Sequence, residues 1–195
     1  RRQRQMCIRD SAYTPPMAPD DPMPEFWFKD SHPDERHGLE QFLDYQRNIM
    51  LRKAHGLDAE QLARTIHPSS LSIGLLLAHL ALVEDSWMQE DLLGLPMPEP
   101  WLTIEAALEE GGPSADEIYG TTASPDELRA TYLAAIDRSR AAMAAHELDD
   151  ETVVDSWDGR RRSVRWLYLH MIEEYARHLG HADFLREAID GSYGD

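Results

Sequence analysis

The chain holds a single cysteine, Cys7, in 195 residues. An intramolecular disulfide is therefore excluded, and so is a zinc–thiolate cluster built within one chain. Such sparing use of cysteine suits a reducing compartment, and a cytoplasmic location is expected. Positive charge is also scarce. Lys and Arg number 19 against 36 Asp and Glu, a formal net charge of −17, and only Lys29 and Lys53 are lysines. Phosphate-gripping surfaces need clustered cations, so neither a nucleic acid nor an anionic membrane surface is an expected partner. Long apolar runs are missing as well. The most hydrophobic stretch, Leu71–Val83, is interrupted by Ser72, Gly74 and His79. It falls short of the roughly 20 apolar residues that span a bilayer. No apolar segment follows the N-terminal arginines, so no signal peptide is expected.

What is present describes a soluble globular chain with one core: 42% hydrophobic and 28% charged residues. Residues 1–24 are expected to be a disordered tail. Arg1–Ser11 resembles translated adapter read-through, and Pro15, Pro16, Pro19, Pro22 and Pro24 follow within ten residues, a density that forbids regular helix or ladder. Residues 25–191 are expected to form the folded domain.

Four long helices are predicted there. The first runs from about Asp34 to Ala54, with Leu39, Phe42, Leu43, Gln46, Ile49, Met50 and Lys53 on one face and Gly56 as its stop. A short turn over Asp58–Thr65 precedes Pro68. The second helix starts at Ser69 or Ser70 and ends at Gly94. From Leu95 to Ala123 the prolines and glycines imply a long crossover with a helical turn or two at Ile104–Glu110. The third helix opens on a capping box, Ser124, Pro125, Asp126 and Glu127, and runs to about His146 with Leu128, Tyr132, Ile136 and Met143 inward. A small hairpin or tight turn at Asp158 and Gly159 leads to the last helix, about Ser163 to Ile189. The fold class is therefore all-α, a four-helix bundle with a long crossover between helices two and three.

Chemistry concentrates on the last helix, in HMIEEYARHLGH from His170 to His181. At 100° per residue His170, Glu174, His178 and His181 share a stripe about 100° wide. Glu174 and His178 stand one above the other as an i, i+4 pair. The second helix offers the complement. His79 lies in a run so apolar that burial is expected, and its sequence neighbours provide no partner for its ring nitrogens. Bundle cores build metal sites from an i, i+4 pair and a ligand on a facing helix. Taken separately, the Glu–His pair also reads as a solvated charge pair, and His79 as a hydrogen-bonded core residue. Glu84, about 140° round the helix from His79, points elsewhere. Trp87, Trp157 and Trp166 read as core packing residues before a lining for the pocket mouth, and His32, His55 and His67 as exposed. Arg160, Arg161 and Arg162 read as a solvated loop or a contact for an anionic substrate.

The stretch GLLLAHLALVE from Gly74 to Glu84, and the segment from Arg165 and Trp166 through EEYARHLGHAD at Glu173–Asp183, carry a resemblance. From about Asp34 to Gly191 the chain resembles the DinB-like superfamily of four-helix metal proteins, nearest to its mycothiol-dependent maleylpyruvate isomerase N-terminal-like branch. By position, the resemblance implies His79, Glu174 and His178 as metal ligands. His181, His170 and Asp183 are candidates to orient a ligand or move a proton. The isomerase carries a further C-terminal domain, so the resemblance implies a stand-alone transferase rather than isomerisation.

The expected cofactor is a divalent metal, Zn²⁺ foremost, with Fe²⁺ or Ni²⁺ as alternatives. The expected partners are a low-molecular-weight thiol such as mycothiol and an electrophilic small molecule. Two neutral imidazoles and one carboxylate around Zn²⁺ leave a net charge of +1 and an open position, which favours a bound thiolate. Two further readings stand beside this one. The same donor set suits non-haem Fe(II) chemistry. A metal that only staples the bundle, or a pocket that binds without turnover, would make the chain no enzyme at all. A homodimer is compatible with a small bundle, though no stripe in the sequence demands it.

Overall fold

A computed structural model of the protein describes residues 31–156 and 158–192. The expected tail over 1–24, Cys7 and Trp157 lie outside the described residues. Within them the chain is all-helical, as expected, with no strand and one isolated bridge between Glu151 and Ser163.

Helix α1 spans Glu35–Ala54 and α2 spans Ala59–Ala63. Helix α3, Ile73–Asp85, continues into a π-helical segment, Ser86–Leu92. Two short helices follow, α4 at Trp101–Glu105 and α5 at Ala115–Thr122, then α6 at Pro125–Ala144 and α7 at Val164–Asp190. None is long and apolar enough to cross a membrane.

Local signals explain most of these boundaries. Asp34 caps α1 by accepting the His37 N–H, and Ser163 caps α7 by accepting that of Trp166. Ser124 and Glu127 close the reciprocal capping box of α6, with Pro125 at its first turn. Helix α3 begins later than expected. Its cap is Ser72, whose Oγ accepts the Leu75 N–H, whereas the Ser69 Oγ accepts the Leu71 N–H within the preceding turn. Gly94, at φ +65°, terminates the π segment in a conformation other residues adopt rarely.

Helices α1, α3, α6 and α7 form the bundle. Glu35 meets Arg165 and Lys53 meets Asp183, so α1 and α7 run parallel. Arg36 reaches the His146 carbonyl while the Tyr132 hydroxyl donates to the Arg47 carbonyl, so α6 opposes α1. A chain that passes from α3 to α6 without reversing needs a long return, and α4 and α5 supply it. The return is more helical than predicted. It holds α4 a few residues earlier than expected and all of α5, in a stretch whose glycines and proline predict loop.

The core is lined by Leu43, Met50, Leu76, Leu80, Met88, Met143, Met171 and Tyr175, among others. Phe42 corrects the predicted face of α1, since it is 50% exposed. Arg47 is buried in that wall instead, at 3% exposure. Its guanidinium donates from Nε and Nη2 to the two Glu84 carboxylate oxygens at 2.7 Å each, and Nη2 also donates to Ser139 Oγ at 2.9 Å. The Tyr175 hydroxyl donates to Glu84 Oε1 at 2.8 Å. Burial, then the charge of Glu84, holds that phenol well above its usual range, so it stays a donor. One ion pair thus pins α1, α3, α6 and α7 together.

A second buried carboxylate anchors the crossover. Asp85 accepts two hydrogen bonds from Arg138 at 2.8 Å and one from Trp101 Nε1 at 2.9 Å. Helix α5 then crosses α3 at two glycines. A Cβ on Gly120 would lie 2.7 Å from the Leu75 Cα, and one on Gly74 would lie 2.9 Å from the Gly120 carbonyl oxygen. Backbones approach this closely only where neither residue has a side chain.

Candidate metal centre

That close crossing places Asp116, one turn before Gly120, against His79 on α3. Asp116 Oδ2 lies 2.8 Å from His79 Nδ1. Its other oxygen accepts from Ser114 Oγ and from the Glu117 N–H. On the far side of the imidazole, His79 Nε2 lies 3.2 Å from Glu174 Oε1 on α7. One turn along α7, His178 Nε2 lies 3.0 Å from the same oxygen. Two imidazoles from facing helices therefore converge on one carboxylate. The two rings stand 4.7 Å apart between centroids, at 65° to each other.

Charge follows geometry. Burial of His79 opposes its protonation, but the hydrogen bonds to Asp116 and Glu174 outweigh it and push the ring up to about 9. Glu174 is held far below the usual carboxylate range, first by the hydrogen bond from His178 and then by that from His79, with burial opposing. Asp116 is lowered too, burial being overcome by the bonds from His79 and Ser114. Without an ion, His79 is an imidazolium between two carboxylates.

The group fits a divalent ion. The ligand atoms of His79, Glu174 and His178 all lie within 4.8 Å of one another. In a tetrahedral site with bonds of 2.0–2.1 Å, ligand atoms stand about 3.3 Å apart, close to the two separations from Glu174. Asp116 ties Nδ1 of His79 and leaves Nε2 as the donor that faces the group, a carboxylate–histidine arrangement common behind metal ligands. His178 differs, because its buried Nδ1 has no hydrogen-bond partner among the described residues.

The other sequence candidates fall at different distances. His181 is exposed, with its ring 5.7 Å from that of His178. His170 is half-buried one turn before Glu174, stacked on Trp166 at 4.8 Å and 5.0 Å from Trp87. Asp183 forms an ion pair with Lys53 of α1 at 2.6 Å. Arg160 and Arg162 meet Asp158, and Arg161 meets Asp155. His55 is half-buried rather than exposed, while His32 and His67 are exposed as expected. Sequence reasoning missed Asp116. The available signal was the capping pattern of Ser114 and Glu117, which marks a helix start beside it.

Comparison with known proteins agrees with this architecture. A crystal structure of a conserved protein from Enterococcus faecalis matches with a TM-score of 0.63 at 15% identity, covering 83% of this chain and 100% of that one. At that identity the likeness is one of fold. No curated protein matches the chain. The sequence profile described as mycothiol-S-transferase matches residues 38–191. That match runs from the first helix of the bundle to the end of the last and takes in every residue of the convergent group, and on its strength the chain belongs to the mycothiol-S-transferase family.

Proposed function

We propose that the protein is a metal-dependent thiol S-transferase that joins mycothiol, or a similar low-molecular-weight thiol, to an electrophilic small molecule in the cytoplasm. The observation that carries this reading is the convergence of His79 Nε2 and His178 Nε2 on Glu174 Oε1. His79, Glu174 and His178 would hold the ion, and two nitrogens with one oxygen suit Zn²⁺ with a position left open. A divalent ion bound there supplies a Lewis-acidic position at which sulfur is held as the nucleophilic thiolate. That matters because a free thiol of pKa about 8.5 is only a few per cent ionised at neutral pH.

The residues divide the remaining work. Asp116 orients His79 and keeps its Nδ1 occupied. Glu174 contributes one negative charge, which leaves a +2 ion with enough positive charge to retain an anionic sulfur. His181, solvent-facing beside His178, offers a base for the thiol proton. Family membership supports the thiol and electrophile as substrates.

Loss of thiol from a mixture of zinc-loaded protein, mycothiol and a panel of electrophiles tests this reading. Wild type is expected to consume thiol, and a folded His178→Ala protein is expected to consume none. If wild type leaves thiol untouched while His178→Ala lowers the melting temperature, the group is a structural staple and the transferase reading fails.

A further inference from the structure

Arg162, Trp166, His170, Glu174 and His178 recur every four residues, so one ridge of α7 and its entry carries guanidinium, indole, imidazole, carboxylate and imidazole in that order. The first three are packed against one another. The Arg162 guanidinium lies 4.7 Å from the Trp166 ring centre, and Trp166 stacks on His170 at an interplanar angle of 15°. Trp87, two turns beyond His79 on the π-helical continuation of α3, closes the far side at 5.3 Å from Trp166 and 5.0 Å from His170. All three rings are half-buried rather than sealed in the core. The metal group and the aromatic cluster therefore follow one another along a single ridge of α7, with His170 only about 6 Å along the helix axis from Glu174.

We propose that this shelf of Trp87, Trp166 and His170 binds a planar aromatic ring of the electrophile and so selects aromatic over aliphatic electrophiles. The inference rests on the transferase reading above for the word electrophile, and on the rings themselves for the ligand class. The shelf's charges are already taken up. Arg162 is paired with Asp158 at 2.6 Å, and His170 faces Glu173 at 3.7 Å. Burial keeps His170 below its ordinary value, which leaves a neutral ring beside the indoles. Half-exposed rings of this kind offer the parts that Arg162 and one another leave uncovered for offset or edge-on contact with another ring. A polyhydroxylated thiol would ask instead for free hydrogen-bonding side chains.

The reaction to be tested uses 1-chloro-2,4-dinitrobenzene. Its balance is simple: sulfur bonds to the ring carbon bearing chlorine, the carbon–chlorine bond breaks with its electron pair, chloride leaves, and the thiol proton passes by way of His181 to solvent. Iodoacetamide serves as the aliphatic comparison. Binding is measured separately with 1,3-dinitrobenzene, which has no leaving group, on the full metal-free chain.

Saturable binding is expected by calorimetry, weakened about tenfold in Trp87→Leu and Trp166→Leu and unchanged in Phe184→Ala, an α7 position that is 73% exposed. In wild type the indole N–H signals of Trp87 and Trp166 should shift on titration while that of buried Trp101 stays still, a readout that needs no variant. In turnover, both leucine variants should raise the KM for the chlorodinitrobenzene about tenfold, leaving the KM for mycothiol and the rate with iodoacetamide unchanged. Binding that ignores both substitutions, signals that do not move, or a change confined to the KM for thiol would overturn the proposal. Binding to the shelf without turnover by zinc-loaded wild type would sink the transferase reading alone and leave a ring-binding site.

Discussion

Asp116 on α5 and His79 on α3 meet through a 2.8 Å contact between a carboxylate oxygen and Nδ1, and this contact joins the crossover to the convergent group. It makes the crossover part of the site rather than a mere connection. Asp116→Asn should keep the fold, because Ser114 and the Glu117 N–H still have an oxygen to bind. It should weaken zinc binding by about 10–100-fold, the usual effect of removing a carboxylate behind a ligating histidine. Competition with a chromogenic chelator measures it, and an unchanged affinity would remove Asp116 from the site.

The contact depends in turn on the bare backbone at Gly120. A methyl group there meets the Leu75 Cα at 2.7 Å, which neither helix can relieve by rotating a side chain. Gly120→Ala should therefore lower stability by about 1–3 kcal/mol and lower zinc affinity together with it, as α5 lifts away from α3. Urea unfolding and chelator competition on the same sample check the pairing. A loss of stability with full metal affinity would show that α5 is not what positions His79.

Protons should compete with the metal at His79. With its folded value pushed up to about 9, the ring is cationic at pH 7.5 in metal-free protein, and its Nε2 proton must leave when an ion binds. Zinc binding at pH 7.5 should release about one proton from His79, and affinity should climb with pH before flattening above about 9. Calorimetry in two buffers of different ionisation enthalpy counts that proton. The folded value lies above the 6.5 of an ordinary histidine. The ring's ion pairs therefore stabilise metal-free protein fully below that pH, and their contribution is lost as pH rises through about 9. A melting temperature that rises from pH 6.5 to 9.5 would contradict the charged state assigned to His79.

The Arg47 and Glu84 pair should be a structural element separable from the chemistry. Glu84→Leu leaves the buried Arg47 guanidinium with only Asp44, at the edge of the bundle, as a carboxylate partner and should cost about 3–5 kcal/mol in urea unfolding. Replacing both partners, with Arg47→Met beside Glu84→Leu, should recover most of that loss, since the desolvated charge goes too. Zinc content of the folded double variant should match wild type. A double variant no better than the single one would assign Arg47 a role beyond pairing with Glu84.

Much of this architecture was legible residue by residue. The Ser124 to Glu127 capping box is a local signal, and α6 starts where it lies. The stripe of His170, Glu174, His178 and His181 follows from helical spacing alone. His79 stood out because its apolar neighbours offered it nothing. What could not be read were contacts made across the chain. Nothing near His79 in sequence announces Asp116, whose position depends on Gly74 and Gly120 letting α3 and α5 touch. The burial of Arg47 is set by Glu84 and Ser139, which lie 37 and 92 residues away in sequence. Phe42 has the right spacing for the core, but helical period does not say where a face stops being covered. Helix α5 was obscured by Gly111, Gly112 and Pro113 immediately before its cap.

The central claim is that His79, Glu174 and His178 hold one divalent ion. Elemental analysis of the purified, tag-free chain tests it most directly, alongside His79→Ala and Glu174→Gln. About one zinc per chain in wild type, lost from both folded variants, is the predicted result. Wild-type protein that carries no metal even after zinc is added back, or variants that bind as much as wild type, would contradict it.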